Sequence, residues 1–208
     1  METLAYAPVT FALLVVNVVV SLFVLLARPD LMGRFSLRPY AVVHERDYER
    51  LLTSGFLHVG IGHLLFNMMT LFFFGPYLEE LLGPLKFAAL YFGSELAANA
   101  LSVFLHRNRQ EYSAVGASGA ISGVVFAFCL FEPWAKLYVF FAIPMPAIVF
   151  AVVYVAGSIY AMRQSRSAGL TGGIAHEAHL GGAVGGVLLA LVLEPRALGI
   201  FLSQIGIG

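Results

Sequence analysis

Charged residues are scarce in this chain of 208 residues. Asp, Glu, Lys and Arg make up 12% of it, about half of the ~25% that is typical of soluble domains. Hydrophobic residues make up 60%, and a soluble fold could not bury that much apolar surface. This composition excludes a disordered chain, a nucleic-acid-binding domain and an ordinary cytosolic enzyme. It is typical of a helical protein that crosses a membrane several times.

Cysteine is nearly absent as well. Cys129 is the only one in the chain, which excludes an internal disulfide and a multi-cysteine metal cluster. Lys and Arg number 12 and Asp and Glu number 12, so the net charge implies no nucleic-acid partner. Internal repeats and low-complexity tracts are missing too. The length suits one compact bundle rather than two domains.

Long apolar runs are what the sequence does contain. A helix needs roughly 20 apolar residues to cross a hydrocarbon core about 30 Å thick. Such runs predict one membrane domain over residues 1–208 and an all-α fold, a polytopic bundle of six transmembrane helices. The predicted spans cover residues 8–27, 54–78, 86–105, 115–131, 137–162 and 178–194. No Lys or Arg precedes the first run, which favours a retained span over a signal peptide.

The basic residues are unevenly distributed between the loops. Six spans put both chain ends on one side and the loops after spans one, three and five on the other. Those odd loops hold Arg28, Arg34, Arg38, Arg46, Arg50, Arg107, Arg109, Arg163 and Arg166. Taken alone, the positive-inside rule therefore places the odd loops in the cytoplasm.

Polar side chains inside the predicted spans are costly in lipid, so each is a functional candidate. Ser118 lies among glycines and alanines, at the start of an apolar run too short to cross a bilayer. A helix beginning there, at the base of a water-filled cavity, would present free N–H groups that favour an oxyanion. The alternative is that Gly116, Ser118 and Gly119 are small residues of a helix-packing face.

His179 lies three residues before Gly182, and Gly182 and Gly186 form a G-x-x-x-G face. If that face packs against span four, His179 meets Ser118. A serine with a histidine base within hydrogen-bond reach is an activated nucleophile. The alternative is a buried histidine bonded to a backbone carbonyl.

His63 and Asn67 are four residues apart and share one face of span two. Both can donate hydrogen bonds, so they could complete an oxyanion site. The competing interpretation is a metal site formed by His58, His63, His176 and His179. Against it, the chain has no H-E-x-x-H motif, because the string that starts at His176 reads His-Glu-Ala-His.

Together these strings resemble the rhomboid family of intramembrane serine proteases. They are Gly-Ala-Ser-Gly at 116–119, the histidines and asparagine of span two, and Ala-His-Leu-Gly-Gly at 178–182. They occur in the family order, on the second, fourth and sixth spans. The resemblance covers roughly residues 50–195. Each string is weak alone, and all three in order are highly specific.

The resemblance implies that Ser118 is the nucleophile and His179 the general base of a two-residue dyad, with no metal or other cofactor. It places His63, Asn67 and Gly116 on the oxyanion and substrate-binding side. Structural roles are implied for His58, Arg50, Glu79, Gly182 and Gly186.

Three positions lack a match in the family pattern. Glu49 stands where the family has a tryptophan before Arg50. Ser122 stands four residues after the nucleophile, where an aromatic side chain often stacks on the catalytic histidine. The histidine of this chain is therefore expected to need another partner. His176 has no assigned role.

The activity that the resemblance implies is a serine endopeptidase that cleaves transmembrane segments of single-span membrane proteins within the lipid bilayer. It also implies a prokaryotic plasma membrane with both chain ends in the cytoplasm, which conflicts with the arginine distribution. One alternative is a non-catalytic, rhomboid-like binder or chaperone of membrane segments. Another is a small transporter or channel lined by His and Asn. The oligomeric state is not predicted.

Overall fold

The structure is a computed structural model that describes residues 6–139, 142–168 and 175–207, with the side chains of 165–168 outside the description. Some predicted features lie outside these described residues. They are the first and last residues of the predicted domain (1 and 208), residues 140 and 141 of the predicted fifth span, and the Arg166 side chain. The long helices are α1 (Pro8–Leu26), α4 (Ile61–Leu82), α5 (Pro84–His106), α6 (Ser118–Phe131), α7 (Ala147–Ala168) and α8 (His176–Leu193). The shorter helices are α2 (Leu31–Phe35), α3 (Arg50–Thr53) and α9 (Ala197–Gln204).

The predicted polytopic helical bundle is confirmed. Within the described ranges, α1, α4, α5, α7 and α8 are long and apolar enough to cross a membrane. The fourth predicted span is different, because α6 has only 14 residues. At ~1.5 Å per residue it is about 21 Å long, too short for a hydrocarbon core about 30 Å thick. It is buried along nearly its whole length.

The second predicted span differs from the structure at both ends. Residues 54–56 form a single 3₁₀ turn, and α4 begins only at Ile61. It then continues through Pro76 to Leu82. It ends at Gly83, whose positive φ of 82° breaks the helix before Pro84 begins the next one.

The start of the fifth predicted span is not helical. Residues Lys136–Val139 (β1) and Ile143–Pro146 (β2) pair as an antiparallel hairpin, with Lys136 opposite Pro146. Pro144 and Pro146 lack a backbone N–H and disfavour helix in the residue before them. Helix α7 therefore begins at Ala147 rather than at residue 137.

Glycines bring the backbones of three central helices into contact. A Cβ on Gly182 would collide with the Gly119 backbone, and one on Gly186 with Gly123. These contacts join α8 to α6. On a second face of α8, Gly181 lies against the Ala97 carbonyl of α5. Small residues of this kind allow close helix approach in membranes, and here they fix the position of the first turn of α8.

Candidate active site

Ser118 and His179 are brought together where the amino-terminal ends of α6 and α8 meet. Ser118 is the first residue of α6, and His179 lies in the first turn of α8. The distance from Ser118 Oγ to His179 Nε2 is 2.8 Å, a hydrogen bond. An imidazole nitrogen at this distance can take the proton of a serine hydroxyl when the oxygen attacks a carbonyl carbon.

Gly116 lies two residues before Ser118 in a backbone conformation that only glycine adopts readily, with φ of 131°. Its N–H donates to the Ser54 carbonyl over 3.0 Å. A Cβ at Gly116 would lie 2.6 Å from Cε1 of His63. The missing side chain therefore leaves the space in which the His63 ring packs against the loop that carries the nucleophile.

Asn67 lies one turn after His63 on α4 and is only 3% exposed. Its Nδ2 has no hydrogen-bond partner among the described residues, and neither does Nδ1 of His63. Buried polar atoms are nearly always paired in folded proteins. Two unpaired groups on the face of α4 that borders the Ser118 loop are suited to receive a charge that forms only during a reaction.

His58 packs against the ring of His63. It is fully buried, and its ring packs edge-on against His63 with 5.0 Å between the ring centroids. Ser21 donates its hydroxyl proton to the Phe56 carbonyl, so Nδ1–H of His58 donates to Ser21 Oγ over 2.7 Å. Burial, with a smaller contribution from His63, lowers the pKa of His58 to about 4. The ring is therefore neutral at pH 7.

Tyr154 of α7 is a site residue that the sequence analysis missed. Its ring lies nearly parallel to the His179 imidazole, at 24° and with 6.3 Å between centroids. Its hydroxyl lies 3.1 Å from Ser122 Oγ. Ser122 therefore does not contact the histidine in place of an aromatic but bonds the tyrosine that does. No spacing in the sequence connects positions 154 and 179.

The first turn of α8 is tied down by a buried cluster next to the dyad. Glu177 Oε1 accepts hydrogen bonds from Tyr112 OH at 2.6 Å and from His106 Nε2 at 3.0 Å. The Tyr112 and His106 rings stack at 4.0 Å. Burial and the Glu177 carboxylate raise the pKa of Tyr112, so its hydroxyl stays a donor. This cluster links the loop before Ser118 to the backbone two residues before His179.

The remaining predicted residues lie away from the dyad. Arg50 is buried in the first loop and donates to the Ser36 carbonyl over 2.8 Å. Glu49, at the position of the family tryptophan, is solvent-exposed. Glu79 accepts the N–H of Thr10 over 2.7 Å and so caps the first turn of α1.

The four histidines of the metal interpretation form two pairs. His58 packs on His63, whereas the His176 ring lies 6.4 Å from that of His179. Nε2 of His179 is hydrogen-bonded to the serine. Among the described residues, no group of three or more His, Cys, Asp or Glu side chains is arranged to hold a metal ion.

The family described as the Rhomboid domain matches residues 45–196 of the chain. That range contains both Ser118 and His179, and it covers most of the chain. The chain belongs to the rhomboid family.

Curated relatives of this rhomboid include plant, bacterial and yeast proteins. RHOMBOID-like protein 12, mitochondrial, of Arabidopsis thaliana is 30% identical over 148 residues, which are 64% of this chain and 43% of that protein. Putative rhomboid protease YdcA of Bacillus subtilis is 38% identical over 120 residues, 57% of this chain and 59% of that protein. Inactive RHOMBOID-like protein 8 of Arabidopsis thaliana is 33% identical over 96 residues, 46% of this chain and 27% of that protein. The matched part of the rhomboid is thus less than two thirds of each relative.

Proposed function

We propose that this rhomboid is an intramembrane serine protease in which Ser118 is the nucleophile and His179 the general base. The observation that carries the proposal is the 2.8 Å hydrogen bond between Ser118 Oγ and His179 Nε2. A serine hydroxyl is a weak nucleophile at neutral pH and needs such a base. No carboxylate is required in the dyad, because Tyr154 and the packing of α8 orient the imidazole instead.

In the acylation step, Ser118 Oγ attacks the carbonyl carbon of the scissile peptide while its proton passes to His179 Nε2. The carbonyl oxygen becomes an oxyanion. Its donors are Asn67 Nδ2, the His63 ring and the backbone N–H of Ser118 at the start of α6. When the tetrahedral intermediate collapses, the C–N bond breaks and His179 gives its proton to the leaving amine.

In the deacylation step, water attacks the ester carbon of the acyl-enzyme. His179 takes a proton from that water, and the same donors hold the second oxyanion. Breaking the bond to Oγ releases a carboxylic acid product and returns the proton to Ser118. All protons are carried by His179, so no cofactor enters the reaction.

The proposed substrates are single-span membrane proteins, cut in or near their transmembrane segment. In an intact helix each peptide carbonyl is hydrogen-bonded and hidden from attack. The substrate must therefore be locally unwound where it meets Ser118.

We place the protein in a prokaryotic plasma membrane with both ends in the cytoplasm and the dyad opening toward the opposite side. The opening lies on the side of the first loop, because Leu37 of that loop pairs with Ala114 just before the nucleophile. This is the side with most of the arginines, so the orientation opposes the positive-inside rule and needs a direct test.

A non-catalytic binder of membrane segments is the second candidate, because a relative of this chain is named inactive. Labelling by a fluorophosphonate probe and cleavage of a co-expressed single-span protein separate the two. We expect Ser118→Ala and His179→Ala to abolish both signals at wild-type membrane levels. Ser203→Ala, at an exposed serine of α9, is the matched control and should retain both. Undiminished cleavage by Ser118→Ala would refute the proposal that the protein is a serine protease with Ser118 as its nucleophile.

A further inference from the structure

Glu95 of α5 is a buried carboxylate that the proposed reaction does not use. It is 3% exposed, and its Oε2 accepts the N–H of Ala120 over 3.1 Å. The first N–H groups of a helix have no partner inside the helix. In α6 the first hydrogen bond from an N–H group to the carbonyl four residues earlier runs from Ile121 to Ala117. With Ala120 bound by Glu95, the N–H groups of Ser118 and Gly119 are the ones left to face an oxyanion.

The other oxygen of Glu95 is linked through Asn99 to the segment that binds the loop before Ser118. Oε1 accepts from Asn99 Nδ2 over 2.9 Å. The same amide lies 3.2 Å from Ser54 Oγ and donates to the Leu51 carbonyl at 2.9 Å.

The Ser54 carbonyl, in turn, accepts the N–H of Gly116. The backbone is therefore held two residues before Ser118 and two residues after it, by one connected set of hydrogen bonds that centres on Glu95.

The surrounding backbone leaves space for this carboxylate. A Cβ on Gly55 would lie 2.8 Å from Glu95 Oε1, and one on Gly119 would lie 3.2 Å from Oε2. A buried carboxylate is costly even when it is fully hydrogen-bonded. An apolar residue would avoid that cost but would leave the Ala120 N–H and the Asn99 amide without the acceptor that Glu95 provides.

We propose that Glu95, together with Asn99, is a positioning residue pair for the nucleophile. It fixes the backbone around Ser118, and through it the distance from Ser118 Oγ to His179 and the direction of the two free N–H groups. The inference rests on the proposed role of Ser118. Neither Glu95 nor Asn99 contacts the reacting atoms.

The chemistry of the pair suggests a specific variant. Glu95→Gln keeps the shape but has one acceptor oxygen, so its NH₂ group faces either the Ala120 N–H or the Asn99 amide, donor against donor.

The test uses the full chain in detergent, with the fluorophosphonate labelling rate of Ser118, kcat and KM for a single-span substrate, and Tm as readouts. Glu79→Gln is the matched control, because Glu79 is also a buried carboxylate that caps a helix, α1, but lies away from the dyad. We expect Glu95→Gln to slow labelling and kcat by about 10- to 100-fold, the scale of a sub-ångström to 1 Å displacement. KM should change little.

Glu79→Gln should lower Tm at least as much and leave the labelling rate per folded molecule near that of the wild type. The proposal is overturned if Glu95→Gln also labels at the wild-type rate, since Glu95 would then only contribute to packing. A wild-type protein that labels no faster than Ser118→Ala would instead refute the proposed function itself.

Discussion

Substituting Gly182 by alanine should separate the dyad without touching either of its residues. Gly182 lies one turn after His179, where α8 crosses Gly119 of α6. A Cβ at this position would collide with the Gly119 carbonyl oxygen and would lie 2.8 Å from the carbonyl carbon. Carbon atoms in good contact are ~3.5–4.0 Å apart. The methyl group therefore lacks roughly 1 Å of room, and because it meets backbone, only a movement of the helices can provide it.

That movement sets the size of the effect. His179 moves with its helix, so its bond to Ser118 of 2.8 Å lengthens to roughly 3.8 Å, outside hydrogen-bond range. A misplacement of 1 Å costs about 100-fold in rate. Forcing a methyl group into packed structure also costs about 1–3 kcal/mol of stability, so the variant should still fold.

The measurements are the labelling rate of Ser118 by a fluorophosphonate, cleavage of a single-span substrate, and Tm in the same detergent. Gly157→Ala is the control, because an added Cβ there meets no atom within 4 Å. It replaces glycine by a better helix former, so Tm should stay the same or rise with full activity. Wild-type labelling together with wild-type Tm in Gly182→Ala would refute the idea that this glycine contact sets the dyad distance.

Three further predictions concern the oxyanion site, the histidine and the orientation. Asn67→Ala should lower kcat by about tenfold, less than the ~10²–10³ seen for a dominant oxyanion donor, because His63 and a backbone N–H remain; unchanged kcat would remove Asn67 from the site. Tyr154→Ala should lower kcat more than Tyr154→Phe, which keeps the ring against His179 and loses only the bond to Ser122; equal losses would contradict the stacking role. A reporter fused after α9 should read as cytoplasmic and one inserted at Arg34 as external, and the reverse pair would favour the arginine count.

The packing of α6 against α8 could be predicted from the sequence, because the residues that specify it lie close together within each helix. The spacing of His179, Gly182 and Gly186 fixes which side of one helix carries both the histidine and the small residues. A partner with its own small residues, around Ser118, then has few other ways to pack. The start of α7 could not be predicted in the same way, because hydropathy favours a span from residue 137 and does not distinguish an apolar helix from an apolar hairpin.

Tyr154 and Glu95 could not have been assigned from the sequence. Each acts on a residue far away in the chain, Tyr154 on His179 and Glu95 on the N–H of Ala120. In a single sequence a tyrosine in an apolar run looks like ordinary packing, and a lone intramembrane glutamate only marks a site of unknown kind. Their roles depend on the angle and depth at which α5, α6 and α7 meet, and no local pattern specifies those.

The shortness of α6 bears on where a substrate would be cut. With 14 residues, the helix falls about 9 Å short of a hydrocarbon core about 30 Å thick. If its carboxyl end at Glu132-Pro133 lies at one membrane surface, Ser118 lies about 9 Å below the other. An unwound strand advances ~3.3 Å per residue, so its scissile bond would lie about three residues inside the membrane boundary. The length of α6 would thereby determine which peptide bond of the substrate is cut. That bond would be selected by its distance from the membrane surface rather than by the side chains around it.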